Sequence, residues 1–261
     1  MSRHRPRRVS RRSILAIAVV ALAAGCQSPS VDPPAGHALA LRVDLLPGGP
    51  SPAGELSLPR YALYADGTLI AQDGVDGDLP VAKAYHLTHS AFLRMYDRAA
   101  SAGLAASHDY DVQAPDASTL VITFVTSGGR FQTRIVAPED QASGAAGAAA
   151  QAVAFTPTDL AEPDMTSPPG RYVPARIAVN SAYAKAGTAG APAWPLPALG
   201  DGTAVHSGDC VAYGPPRLDQ VSDLGRHGPA DRRWASGGAT YQVFFRPLLP
   251  DESGCASLAA H

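Results

Sequence analysis

The sequence predicts an α+β fold, with mostly antiparallel sheet built from hairpins and one or two helices packed on a face. Three observations lead there. Asp66-Gly67 lies between the β-prone runs Y-A-L-Y-A and T-L-I-A, and Asp-Gly supplies the positive φ angles of a two-residue hairpin turn. Ser127-Gly128-Gly129 separates a second pair of β-runs, residues 118–125 and 130–136. Between the two hairpins, residues 88–104 carry a helical pattern. The order strand, hairpin, helix, hairpin puts a helix on one face of the sheet.

The elements follow in chain order. Residues 37–46 alternate, with Leu39, Leu41, Val43 and Leu45 on one side, as in a half-buried strand. Residues 48–54 form a Gly/Pro loop, and residues 72–80, rich in aspartate, are expected as an acidic loop. Thr88 caps the helix, and Leu87 is placed to staple onto Phe92. Phe92, Met95, Tyr96 and Ala99 share one helical face, and Gly103-Leu104 supplies a left-handed ending with an apolar contact. Residues 142–169 lack large apolar side chains at first and then gather prolines. They are expected as a linker or surface excursion, with room for a short helix at 157–160 or across 145–154.

Residues 171–183 resume a strand pattern. Residues 186–202 are a Gly/Pro loop around Trp194, which is expected to plug the core. Residues 210–213 read as a short strand, and 216–224 as a short helix with proline in its first turn. Residues 234–249 form a third hairpin that turns at Ser236-Gly237-Gly238. S-G-G followed by proline thus occurs twice at an offset of 109, either as a duplicated unit or as the recurrence of a common turn. The tail of the third hairpin, residues 246–252, reads as an edge strand ended by prolines. Its alternative is a recognition patch made of Arg246 and the acids that follow.

The leader fixes the expected location. Six arginines precede an apolar run of 11 residues, 14–24, that ends on Gly25-Cys26. Basic flank, short apolar stretch and small residues are the parts of a secretory signal, and 11 residues fall short of the roughly 20 a spanning helix needs. Leu22-Ala23-Ala24-Gly25-Cys26 resembles the lipobox of bacterial lipoproteins. The resemblance implies that Cys26 is acylated, with chains such as palmitate, and becomes the new N-terminus. Ser10-Arg11-Arg12-Ser13 also looks like a twin-arginine export signal, so the Sec and twin-arginine routes both stay open. The expected organisation is a signal peptide at 1–25, a lipid-anchored tether at 26–37, an α+β lobe at 38–140, an Ala/Pro-rich linker at 141–170 and a second β-rich lobe with a disulfide at 171–261.

Without the leader, 15 basic residues face 23 acidic ones, a formal charge of −8. That argues against nucleic acid as a partner. Once Cys26 carries lipid, Cys210 and Cys255 remain, and in an exported protein an isolated pair most simply forms one disulfide. The alternative, a zinc site, lacks CxxC spacing and suitably placed histidines.

Motifs that carry chemistry are sparse. His86-x-x-His89 has no placed third metal ligand. Asp73, Asp76 and Asp78 miss the calcium-loop spacing. His108, Asp109 and Asp111 have no G-x-S-x-G elbow to serve, and no phosphate-cradling glycine loop follows a strand. The expectation is therefore no catalytic residue, no metal and no cofactor, although scattered carboxylates leave an acid/base pair open.

Residues 234–255, together with Trp194-Pro195-Leu196 and the 61–67 hairpin, resemble exported lipoproteins of actinobacterial type. That resemblance implies that Cys210 and Cys255 belong together and implies no activity. The functional expectation is a lipid-anchored, extracytoplasmic binding or assembly module of the cell envelope. Its partners would be the membrane, through the anchor, and an envelope protein or glycan. The alternatives are an envelope hydrolase working through carboxylates, and an inhibitor or chaperone that offers a sheet edge.

Overall fold

A computed structural model describes residues 31–49, 56–156, 159–205 and 207–258. The leader and Cys26 lie outside the described residues. Among the described residues, thirteen strands and three helices make an α+β fold, and those from Val31 on form one compact unit.

The first sheet has eight strands in the order β5-β7-β6-β1-β2-β3-β4-β8. They are β1 (Leu39–Leu46), β2 (Tyr61–Tyr64), β3 (Thr68–Asp76), β4 (Leu79–Leu87), β5 (His108–Tyr110), β6 (Thr119–Thr126), β7 (Gly129–Val136) and β8 (Met165–Arg171). All pairings are antiparallel except β5 with β7. Helices α1 (His89–Ser101) and α2 (Gly144–Ala152) cover one face. There Leu41, Val43, Tyr61, Leu63, Phe92, Tyr96, Ile122 and Phe124 share one apolar cluster with Ala146 and Ala149. Each fully buried Leu, Val or Phe contributes about 1.5–3 kcal/mol, so this face is the main source of stability. Helix α1 is built as the sequence predicts. Thr88 Oγ accepts from the Ala91 N–H at 3.3 Å, the predicted stripe is buried, and Gly103 takes φ +83° ahead of buried Leu104.

The second sheet runs β10-β11-β9-β13-β12, all antiparallel. Its strands are β9 (Ile177–Ala186), β10 (Thr203–Val205), β11 (Gly208–Tyr213), β12 (Arg233–Ser236) and β13 (Ala239–Pro247). Helix α3 (Leu218–His227) buries Val221 in the cluster that holds Trp194, Trp234, Val243 and Phe245. Trp194 plugs this core as expected, edge-on to Trp234 with ring centroids 5.2 Å apart. The Cys210–Cys255 disulfide is formed, with both cysteines buried.

Five expectations need correction. Strand β1 is buried on both faces rather than one, because Leu249 and Glu252, in the segment after the second sheet, cover the side opposite the helices. The first hairpin turns through three residues, 65–67, and only Gly67 is left-handed, at φ +85°. A Cβ on Gly67 would lie 2.8 Å from the Leu87 carbonyl oxygen. Asp66 instead anchors the turn by accepting from the Thr68 N–H at 2.9 Å, as short acidic side chains do in turns. The acidic loop at 72–80 is strand and hairpin, with Asp76 paired across from Leu79. Its carboxylates are neutralised in place: Asp73 by Lys83 at 3.1 Å, Asp76 by Arg171 at 3.2 Å and Arg226 at 3.1 Å, and Asp78 by Arg232 at 2.8 Å.

The stretch expected as a linker supplies α2 and then β8, which pairs with β4. Pro168 and Pro169 are tolerated there because β8 is an edge strand with few ladder bonds to lose. The 157–160 option falls partly outside the described residues. Strand β13, in contrast, is not an edge: it lies between β9 and β12. The two S-G-G copies also differ. Gly237 and Gly238 are both left-handed, at φ 57° and 81°, and form the β12–β13 turn, whereas the β6–β7 turn is made by Ser127 and Gly128 without positive φ. The recurrence is a shared composition, not a repeated conformation.

Candidate functional site

Period-2 alternation on β1 puts Leu41 and Val43 toward the helices and Arg42 and Asp44 on the opposite face. That face is covered by a strap, residues 248–258, which leaves the end of β13 and crosses from the second sheet onto the first. Leu249 packs with Leu39, Ala62, Tyr64, Ile70 and Ala82 of the first sheet. Leu248 and Cys255 pack with Ala178 and Cys210 of the second. The Leu248 N–H donates to Arg176 C=O at 2.9 Å, and the Tyr172 hydroxyl donates to Leu248 C=O at 2.8 Å. Arg176 also donates to the Ser253 carbonyl.

The strap turns at Pro250 and lowers Glu252 between two arginines. Arg246 donates from both amino groups to Glu252, at 2.7 and 2.8 Å. Arg42 reaches the same carboxylate at 2.7 Å and holds Asp44 through Nε and Nη2 at 2.8–3.1 Å. The Leu249 N–H closes the strap's own turn on Glu252 Oε2 at 2.8 Å. Relative exposures are 2% for Arg42, 8% for Asp44, 1% for Arg246 and 6% for Glu252. Two cations and two anions are thus sealed together with charge-assisted bonds. Next in the strap, Asp251 Oδ1 accepts from the Tyr64 hydroxyl at 2.6 Å. Burial, then the charge and hydrogen bond of Asp251, push the Tyr64 phenol well above its ordinary range.

Burial alone would raise the Glu252 pKa, but Arg246, Arg42 and the Leu249 N–H outweigh it and hold the carboxyl down at about 2. Glu252 is therefore ionised at any physiological pH. Arg246, which the alternative reading of this stretch placed in a recognition patch, is buried inside this cluster.

Two open cavities border the cluster and its surroundings. One, of about 490 Å³, lies between β7 and the strap and is lined by Ser107, Arg130, Phe131, Gln132, Asp251, Glu252 and Ser257. The other, of about 450 Å³, lies between β4 and α3 over an apolar floor that includes Pro80, Pro174 and Pro247. On its rim Arg226 pairs with Asp76 at 3.1 Å and with Asp223 at 3.5 Å. Both volumes fall in the range of small-ligand sites.

The other sequence candidates do not assemble. His86 is exposed on β4 and His89 opens α1 beside the Phe92 ring. His108 bonds back to Gly103 C=O, and Asp109 pairs with Arg134. Among the described residues no group of three His, Cys, Asp or Glu could hold a metal ion, and no helix is long and apolar enough to cross a membrane. Comparison with protein-family models, with curated proteins and with solved structures found no match for the chain. Its functional reading rests on its own residues.

Proposed function

We propose that the chain is a bacterial lipoprotein, anchored through acylated Cys26 outside the cytoplasm, whose body is a non-catalytic binding or assembly module of the cell envelope. The observation that carries this reading is the state of Glu252. Both of its oxygens are committed to Arg42, Arg246 and the Leu249 N–H, and it is held ionised. A general acid must carry a proton near the working pH, so the buried carboxylate at the cavity wall fastens the strap instead of moving protons. What faces the 490 Å³ cavity is furnished for contact. A disulfide between buried cysteines suits an oxidising compartment, which agrees with the basic, apolar and small-residue leader. Two or three acyl chains on Cys26 would hold the protein stably, where a single chain holds only marginally.

The test has two parts. Cys26→Ser should move the protein from the membrane fraction to the soluble fraction of its native cells; continued membrane association would remove the anchor. Crosslinking of the lipidated protein should then capture a stoichiometric envelope protein or a glycan. Turnover of an envelope polymer by the purified chain would overturn the non-catalytic reading.

A further inference from the structure

The cavity between β7 and the strap holds groups that the fold leaves unused. Arg130 and Gln132 alternate onto the same face of β7 and both are exposed. Among the described residues the Arg130 side chain makes no hydrogen bond or ion pair, and Gln132 is engaged only through its backbone, whose N–H donates to Ser107 Oγ at 3.1 Å. Asp251 uses Oδ1 for Tyr64 and keeps its other oxygen. The Ser107 and Ser257 hydroxyls complete the wall.

Elimination narrows the ligand class. A free anion would meet Arg130 but also the Asp251 and Glu252 carboxylates on the same wall. A metal cation would meet Arg130, and the three-carboxylate or histidine set it needs is not assembled among the described residues. An apolar ligand would strip water from a guanidinium, an amide and two carboxylates without replacing their hydrogen bonds, at a cost of several kcal/mol. A neutral ring bearing adjacent hydroxyls fits all of them. Each hydroxyl both donates and accepts, so one can accept from Arg130 or Gln132 while its neighbour donates to Asp251.

We propose that this cavity binds a neutral sugar unit of a glycan, with Arg130, Gln132 and Asp251 reading adjacent hydroxyls. This deepens the binding-module reading and rests on it. The test uses the full lipidated chain in detergent on an array of immobilised oligosaccharides that includes neutral, uronic-acid and sulfated members. Binding to neutral members is expected, with Arg130→Ala and Gln132→Ala each weakening it at least tenfold while the thermal melt is unchanged. Both side chains are exposed and free of internal partners, so these variants fold. The proposal is overturned by binding confined to the acidic members, by no binding at all, or by neutral binding that both substitutions leave intact. None of these outcomes touches the membrane release expected of Cys26→Ser, so the anchor and the ligand class fail separately.

Discussion

Replacing Glu252 by glutamine keeps its shape and removes the charge that two buried arginines share. Arg42 still has Asp44, but Arg246 loses its only carboxylate among the described residues and meets an amide NH2 where it met one of the two oxygens. Removing one partner of a buried ion pair costs about 3–5 kcal/mol. The pKa gives a second route to the magnitude. A fall from the ordinary 4.5 to about 2 corresponds to roughly 3 kcal/mol at 1.36 kcal/mol per pH unit. The two agree, and for a body of this length they translate into a Tm lower by roughly 6–20 °C. Urea and thermal unfolding at pH 7, with the disulfide intact, would measure it. The double variant Arg246→Met, Glu252→Leu removes both charges and should be more stable than Glu252→Gln by at least ~1 kcal/mol, since apolar replacement of a buried pair is often neutral. A loss below ~1 kcal/mol in Glu252→Gln, or a double variant no better than the single, would refute the assignment of the cluster as the strap's fastening.

Three further outcomes are expected. Because the folded-state pKa of Glu252 is depressed, its contribution is full above the ordinary carboxylate range and is lost as pH falls from about 4.5 to about 2; the Tm gap between wild type and Glu252→Gln should therefore close across that window and stay constant from pH 6 to 8. Cys255→Ser should lower stability by about 2–4 kcal/mol, and non-reducing peptide mapping of the wild type should return a fragment joining Cys210 to Cys255; free thiols at both positions would contradict the fold at the strap. Gly67→Ala should cost at least ~1 kcal/mol, because a left-handed φ is strained for alanine and the added methyl meets the Leu87 carbonyl; an unchanged melting midpoint would show that the first turn differs from the one described.

Local signals carried much of the fold. Thr88, the Phe92–Met95–Tyr96–Ala99 stripe and Gly103-Leu104 each act within a few residues of themselves, so helix α1 is legible from its own letters. Hairpins at 66–67, 127–129 and 236–238 are legible for the same reason. Where the sequence misled, the deciding partner was distant. Asp73, Asp76 and Asp78 look like a repelling loop until Lys83, Arg171, Arg226 and Arg232 arrive from elsewhere to neutralise them. Arg42 and Asp44 look like the wet side of an alternating strand, because nothing nearby announces that Glu252 will cover them from 210 residues away. Arg-x-Asp on a β-run is a weak hint of a self-paired charge couple, and it was the only local sign of the cluster. Arg130 and Gln132 carry no signal at all: polar residues on a strand are ordinary, and only the strap's return makes them one wall of a cavity.

The bond between Arg42 and Glu252 joins the first described strand to the strap, 210 residues further on. A growing polypeptide therefore places Arg42 and Asp44 on a strand face long before it holds the residue that closes over them. Any copy that stops short of residue 252 leaves those charges wet and the face around Leu39, Ala62 and Ile70 uncovered, a combination that invites proteolysis or aggregation. Only a chain that has been made through to Cys255, and has found oxidising conditions in which to join it to Cys210, can shut its own seam.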